Sequence, residues 1–413
     1  MSETPLPVAQ RTEFPFEHEL YGRLERFEDA GLLTPDALAR WTTAHPVEET
    51  VTTFGECPRC YFQTSGTSGQ AKQIPFTSAD LDAQIEHESR SFAVAGLTAE
   101  DRVMTLASPP PSLSAWATVA GSERLGATVL NSSYVDFDRI LDAGRGEEVT
   151  FLFGTPLMLE LIGEMTEQTF GPVARVFPNV RAAILYGDVM PPAVERRVRR
   201  YWDVDVRLLY GSVEADVIAM SCPQGDRTMH LMDKVVVELL TEGDGDRPVP
   251  VSACADGVRG EVVVSDLDRE LLPLIRYRTG DMVEVHRSPC PCGRPGPRLS
   301  VLGRRKNELR LGGRPLHEME LHAAVDAVVG ERLHDWRLDV RDNGLPEVGA
   351  TLTVEGEEPA DGDAAGRIRE RLVAIGALPA AEAARVLRVA FTAPSDEARA
   401  IAGDVKADRI RFR

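Results

Sequence analysis

From about residue 60, short apolar runs alternate with amphipathic stretches along the chain. VTFLFGTP (149–156), VRAAILYGD (180–188) and VRLLYGS (206–212) are rich in β-branched, aliphatic or aromatic residues and end in Gly or small polar residues. Between them, LMLELIGEMTEQ (157–168) and PPAVERRVRRYW (191–202) carry helical spacing. Strands that alternate with helices predict α/β architecture around a mostly parallel sheet. After residue 230 the pattern changes. KVVVELLTEG, GEVVVSDL and DMVEVHR read as strands with no helices between them, which predicts a β-rich part over about 230–303. From 304 to 413 helices (HEMELHAAVDAVV, AAGRIRERLVAIG) mix with strand-like pieces (HDWRLDVRD, GATLTVE, RVLRVAFTA). This predicts a small, separate α+β domain, with LGRRKNE (302–308) at the boundary. Residues 1 to about 50 are polar and partly helical, a lead-in expected to pack on the main body. EGEEPADGDAAG (355–366) reads as a solvated acidic turn.

Length and charge narrow the class. At roughly 150 residues per domain, 413 residues make two to three domains with a core large enough to fold unaided. Acidic residues outnumber basic ones 65 to 46, for a formal charge of −19. Such a chain is a poor grip for nucleic acid or an anionic membrane. No apolar run approaches the ~20 residues that span a bilayer. The first residues, MSETPLPVAQRTEFPFEHEL, lack a basic segment followed by an apolar one, so no secretory signal is read and a cytoplasmic location is expected.

Tyr61–Lys72 reads YFQTSGTSGQAK. Glycines allow a backbone whose N–H groups converge on one anion, while hydroxyls and a lysine add donors and charge. The composition suits a triphosphate. No Gly-Lys-Ser/Thr closes it in the manner of a P-loop, and G-x-G-x-x-G is absent. The plain alternative is a flexible Gly/Ser turn. Two further segments lie at strand ends, where α/β folds bind ligands. One is Leu209-Tyr210-Gly211-Ser212-Val213-Glu214, whose carboxylate suits Mg²⁺ beside phosphates. The other is Tyr186-Gly187-Asp188, where Asp188 serves equally as N-cap of the next helix.

T-S-G-T-S-G-Q-A-K resembles the phosphate loop of the adenylate-forming superfamily of acyl-CoA synthetases and adenylation domains, and four further segments follow in that family's order. The resemblance implies that Ser65, Gly66, Thr67, Ser68, Gly69 and Lys72 hold phosphates. It makes Tyr210 the adenine-stacking residue beside Gly211, Ser212 an α-phosphate contact and Glu214 a Mg²⁺ ligand. Gly187 and Asp188 would line adenine and the acyl pocket. In Ile275-Arg276-Tyr277-Arg278-Thr279-Gly280-Asp281, Asp281 would accept both ribose hydroxyls, as one carboxylate can. Gly303-Arg304-Arg305-Lys306-Asn307-Glu308 resembles the interdomain hinge, with Arg304 a ribose or phosphate contact and Lys306 in the place of the usual Asp. Gly312 and Gly313 match the loop lining the thiol-acceptor tunnel.

HRSPCPCGRPGPRLSVLGRR and SCPQGDRTMHLMDKVVVE resemble the phenylacetate-CoA ligase branch, as does the ending GDVKADRIRFR. That ending makes Lys406 the catalytic lysine, with Val405 replacing the usual Gly; by composition alone Lys406 is a solvated tail residue. Ser112, Trp116 and Tyr186 fall on the implied acid pocket, although Trp116 equally suits the core. Pro109-Pro110-Pro111 replaces a glycine-rich family segment and points away from phenylacetate itself.

Cys222, His230, Cys290 and Cys292 form a soft-ligand set suited to structural Zn²⁺, or else core thiols. Cys57 and Cys60 precede the phosphate loop and fit a second metal half-site, completion of the first, or buried thiols. The resemblance implies a large ATP- and acid-binding domain over 1–303 and a mobile lid over 304–413. It implies AMP-forming ligation of an aryl or arylacetic acid to coenzyme A, with ATP and Mg²⁺. Loading of a carrier-protein phosphopantetheine and transfer to an amine stay open as alternatives. Expected partners are a small carboxylic acid and either coenzyme A or a carrier protein, with no nucleic acid, no membrane, and a homodimer as one possible assembly.

Overall fold

The computed structural model describes residues 16–18, 20–45, 58–64, 71–106, 112–131, 138, 140–141, 148–187, 190, 192–241, 247–266, 268–269, 271–341, 349–360, 362–393 and 409–412. The chain divides into two compact units, residues 1–187 with 198–300 and residues 188–197 with 301–413.

The first unit opens with β1 (Phe16–His18), β2 (Gly22–Leu24) and α1 (Pro35–Ala44), then the hairpin β3 (Cys60–Gln63) and β4 (Gln73–Phe76). The next helix, α2 (Ser78–Val94), starts at a reciprocal cap. Asp80 N donates to Thr77 Oγ1 at 3.0 Å, and Thr77 N donates to Asp80 Oδ2 at 2.9 Å, so two backbone donors are satisfied at once. Then come, in chain order, β5 (Arg102–Thr105), α3 (Leu113–Leu125), β6 (Thr128–Asn131), β7 (Phe151–Gly154), α4 (Pro156–Phe170), β8 (Ala182–Leu185), α5 (Pro192–Trp202), whose first residues fall in the second unit, and β9 (Asp205–Ser212). Helix α3 is capped by Ser112 and stopped by Gly126 at φ +97°, a left-handed end that glycine adopts without strain. β7 and β8 are buried along their whole length, which explains their unbroken apolar runs: a parallel strand covered on both faces has no polar side to show.

β6, β5, β7, β8 and β9 pair in parallel in that order. The sheet continues through β9 into β10 (Asp216–Met220) and β11 (Met229–Leu231), which run antiparallel. β12 (Val236–Thr241), β13 (Val249–Pro250), β14 (Arg259–Asp266), β15 (Leu274–His286) and β16 (Arg298–Arg304) complete it. The order is β13-β12-β14-β15-β16-β11-β10-β9-β8-β7-β5-β6, one sheet of twelve strands. The mixed α/β class expected from the sequence is therefore present. The parallel and antiparallel parts are joined by the β9–β10 hairpin into a continuous ladder.

The second unit contains α6 (Glu318–Val329), the hairpin β17 (Leu333–Arg341) and β18 (Gly349–Gly356), α7 (Ala364–Ala374), β19 (Leu387–Thr392) and β20 (Ile410–Phe412). β19 pairs parallel to β18, and β20 parallel to β17. Its core is made by Trp336, Leu338, Leu352, Val354, Ile368 and Leu372, supplied by alternating strand positions and one helix face. Residues 188–197 belong to this unit by contact, a membership that no local pattern in the sequence announces.

Candidate active site

The β9–β10 hairpin carries the first group of side chains. A Cβ on Gly211 would meet the Asp216 carbonyl oxygen at 2.4 Å, so the tight closure of this turn demands glycine there. Asp216 itself sits at φ +62°. The turn presents Tyr210, Ser212 and Glu214. Tyr210 Oη donates to Asp281 Oδ2 at 2.9 Å, across 71 residues of sequence. Asp281 stands on β15 just after Gly280, whose φ is +76°. Ser212 Oγ accepts from Ala215 N at 3.1 Å, which folds the turn back on itself.

Glu214 receives two groups on one oxygen. Lys72 Nζ lies 3.2 Å from Oε1, and Tyr277 Oη donates to the same atom at 3.2 Å. The Lys72 and Glu214 side chains are only 4% and 9% exposed. A buried ion pair of this kind survives only because each charge has the other, since removing a partner leaves an uncompensated charge. Lys72 ends the segment whose stem is described. Thr64 N donates to Lys72 O at 3.0 Å, and Lys72 N donates to Thr64 Oγ1 at 2.9 Å. The stem thus fixes Lys72 against Glu214. Ser65, Gly66, Thr67, Ser68 and Gly69 lie outside the described residues, as do Asp188, Lys406, Cys57 and Pro109–Pro111.

Beneath the turn lies a charge network that sequence reading did not single out. Lys234 Nζ is 3.2 Å from Asp216 Oδ2 and 3.0 Å from Asp266 Oδ2, all three buried. Burial opposes the Lys234 charge, yet Asp266 and Asp216 outweigh it and raise its pKa. Arg269 lies over the Phe76 ring at 4.1 Å from its centroid, and its Nη2 donates to Val213 O at 3.4 Å. These contacts brace the backbone that holds Ser212 and Glu214. The available signal was weak, being four charged residues scattered among strands. Tyr277, inside a motif read for Asp281, was likewise not singled out.

Tyr186 and Gly187 follow β8 at the carboxyl edge of the parallel strands, with Gly187 at φ +91°. Tyr186 Oη is buried beside Ser114, and burial pushes its phenol above the ordinary tyrosine range, against the lowering effect of Ser114. Ser112 is the N-cap of α3; its Oγ accepts from Ser114 N at 3.4 Å and lies 2.9 Å from Ser114 Oγ. Its hydroxyl thus has a structural duty. Trp116 is half-buried and tilts against Phe62 with centroids 5.4 Å apart. In the second unit, Arg304 ends β16 and precedes the short helical turn Arg305–Asn307, which exposes Lys306. A Cβ on Gly313 would meet the Gly376 carbonyl oxygen at 2.2 Å, so that loop has room for glycine alone.

The four soft ligands converge. One donor atom from each of Cys222, His230, Cys290 and Cys292 lies within 4.8 Å of the others. Cys222 and Cys290 sulfurs are 3.5 Å apart, and Cys292 Sγ is 3.3 Å from His230 Nε2. Two similar turns produce this. Cys222-Pro-Gln-Gly225 closes with Gly225 N donating to Cys222 O at 3.1 Å, and Cys290-Pro-Cys-Gly293 with Gly293 N donating to Cys290 O at 3.0 Å. Arg294 N donates to Cys292 Sγ at 3.4 Å. Tetrahedral Zn²⁺ with bonds of ~2.0–2.3 Å needs ligand atoms roughly 3.3–3.8 Å apart, so the cage has the right scale and donor set.

A family model described as AMP-binding enzyme matches residues 23–266. Among curated proteins, the phenylacetate-coenzyme A ligase of Escherichia coli (strain K12) is 26% identical over 226 residues, which is 54% of this chain and 50% of that protein. The phenylacetate-coenzyme A ligase of Thermus thermophilus is 24% identical over 299 residues, 72% of this chain and 65% of that one. The chain thus aligns with about half to two thirds of the length of these relatives. Among solved structures, 2-hydroxyisobutyryl-CoA ligase in the postadenylation state with 2-HIB-AMP superposes with a TM-score of 0.74 at 21% identity, covering 94% of this chain and 81% of the other. Among the described residues, no helix is long and apolar enough to cross a membrane.

Proposed function

The chain belongs to the AMP-binding enzyme family, and from that premise we propose that it activates a carboxylic acid with ATP and passes the acyl group to the thiol of coenzyme A. The observation that carries the proposal is the convergence of Lys72, Glu214, Tyr277, Tyr210 and Asp281 at the β9–β10 hairpin.

In the first step the acid carboxylate attacks the α-phosphorus of ATP, forming an acyl–phosphate bond as the bond to pyrophosphate breaks. Asp281 is suited to the ribose diol, because a carboxylate accepts two hydrogen bonds. Tyr210, held by Asp281, offers its ring to adenine. Lys72 and the segment 65–69 receive phosphate oxygens, and Ser212 approaches the α-phosphate. Glu214 is the carboxylate that would hold Mg²⁺, since both described contacts fall on Oε1 and leave Oε2 available. The ion would neutralise charge on the phosphates. Lys406 adds positive charge where negative charge develops on the α-phosphate. In the second step the thiol attacks the acyl carbonyl and AMP leaves. We assign residues 304–413 the role of a mobile lid that turns about Lys306 between the steps, carrying Lys406 in and then away, with Arg304 meeting ribose or phosphate. Phe62, Trp116 and Tyr186 support an acid with an aryl or extended apolar body.

Acid-dependent exchange of pyrophosphate into ATP across aryl and alkyl acids tests the first step. Exchange with at least one acid is expected, and none with any acid would defeat the reading. Adding coenzyme A, a carrier protein bearing phosphopantetheine, or an amine then identifies the acceptor.

We also propose a structural Zn²⁺ held by Cys222, His230, Cys290 and Cys292, tying β10, β11 and the turn before β16 together. About one zinc per chain is expected by elemental analysis. Chelation or Cys290→Ser should lower the thermal midpoint, each kcal/mol lost appearing as roughly 2–4 °C. Metal-free protein with an unshifted midpoint in the variant would exclude it.

A further inference from the structure

One buried arginine has no part in the mechanism above. Arg269 follows β14, and its side chain is 3% exposed. Its Nε lies 3.9 Å from Asp266 Oδ2. The same oxygen is 3.0 Å from Lys234 Nζ, which also reaches Asp216 Oδ2 at 3.2 Å. Two cations and two carboxylates, with side chains no more than 4% exposed, thus form one neutral cluster. Neutrality explains how these charges tolerate burial together. It does not explain why one of them is an arginine.

The contacts of the guanidinium do. Its central carbon lies 4.1 Å from the centroid of the Phe76 ring. Phe76 ends β4, which pairs with β3 in the stem that fixes Lys72. Nη2 donates to Val213 O at 3.4 Å, while Nε and Nη1 are buried without a hydrogen-bond partner. Among the described residues, the one hydrogen bond of this arginine therefore goes to the carbonyl between Ser212 and Glu214. Stacking by the face while donating by the edge is open to a planar guanidinium and closed to an ammonium. The other end of the turn is gripped separately. Asp216, at φ +62°, has Lys234 on Oδ2, and its Oδ1 accepts from Val217 N at 2.6 Å. The turn is thus held at Val213 by Arg269 and at Asp216 by Lys234.

We propose that Arg269 is a positioning residue for metal-dependent ATP binding. It ties the Val213 carbonyl to the Phe76 ring of the phosphate-loop stem, and so fixes the Glu214 carboxylate relative to Lys72. The inference rests on the acid-activation reading, in which Glu214 is the carboxylate for Mg²⁺. Groups that orient a metal ligand from outside the coordination sphere are worth about 10–100-fold in metal affinity or activity.

The test pairs calorimetric ATP affinity, with and without Mg²⁺, with pyrophosphate exchange titrated with Mg²⁺. In the wild type Mg²⁺ is expected to tighten ATP. In Arg269→Met that tightening should shrink, and the Mg²⁺ concentration for half-maximal exchange should rise, by about 10–100-fold, while ATP affinity without Mg²⁺ stays within about threefold. The variant also leaves two buried carboxylates to one lysine, so its thermal midpoint should fall. Arg269→Met with Asp266→Asn leaves a neutral Lys234–Asp216 pair. Its midpoint should return toward the wild type while the Mg²⁺ defect persists. Wild-type Mg²⁺ dependence in that double variant would overturn the proposal and give the cluster a folding role alone. Phe76→Leu keeps all four charges and removes the ring, so the Mg²⁺ requirement should rise there too; no rise would sink the clamp. A wild type that exchanges with an acid yet binds ATP equally with and without Mg²⁺ would defeat this inference and spare adenylation. Absence of exchange with every acid would remove both.

Discussion

Lys406→Ala is expected to reduce acid-dependent pyrophosphate exchange by roughly 10³-fold, the scale set by removing a charge that stabilises a developing oxyanion. Transfer of acyl from a supplied acyl-adenylate to the thiol should continue near its normal rate. The split follows from where charge appears. In adenylation, negative charge builds on the α-phosphate oxygens; in thiol transfer, it builds on the acyl carbonyl. The position of Lys406 in the chain is compatible with such a role. Three residues later, Arg409 is anchored in the second unit, with Nε donating to Asp335 Oδ1 at 3.0 Å and its carbonyl accepting from Leu338 N at 2.8 Å. The lysine therefore precedes a fixed strand of the small sheet. Loss of both half-reactions in equal measure, or of neither, would remove Lys406 from this role.

Glu214→Gln should be nearly as damaging, for two separable reasons. The substitution keeps the shape and the hydrogen bond from Tyr277 but removes the charge opposite Lys72. A lysine 4% exposed without its carboxylate is destabilising by about 3–5 kcal/mol. The same change weakens the carboxylate assigned to Mg²⁺, so exchange should fall by on the order of 10²–10³-fold. A double variant distinguishes the two effects. Lys72→Met with Glu214→Gln should recover much of the stability, because a neutral pair replaces a lone charge, while exchange stays low. Wild-type exchange in the single variant at saturating Mg²⁺ would show that Glu214 holds no essential ion. Recovery of exchange in the double variant would make its role purely structural.

Several features of the site were legible before any coordinates. Tyr210 and Glu214 were read at a strand end and Asp281 from the family resemblance, and the structure brings Tyr210 and Asp281 into direct contact and sets Glu214 against Lys72. The cysteine and histidine set was read from its ligand chemistry and spacing, and its four donor atoms now form one cluster. Ser112 shows a limit of such reading: its hydroxyl caps α3, a task that any serine before a helix can perform. The residues that escaped notice share a physical cause. Lys234, Asp266, Gln84 and Glu88 are single polar residues within otherwise ordinary strands and helices. On a helix, Gln84 and Glu88 look like a solvated i, i+4 pair. Only the packing of α3 over α2, with Gly121 pressed against Glu88, turns that face inward.

The sequence by itself determined the mixed α/β class, because strand and helix periods are local properties set by which face each element must bury. It also determined the glycine positions that tight turns require, and the identity of the residues able to hold phosphate, ribose and metal. The tertiary structure decided which of those residues meet. Antiparallel pairing placed β15 so that Asp281 reaches Tyr210, and the β9–β10 hairpin joined two halves of the chain into one sheet. It also decided which charges are buried together and so fixed in pairs, as Lys72 is with Glu214 and Lys234 with Asp216 and Asp266. Such choices depend on contacts between segments far apart in the chain, and no local pattern encodes them.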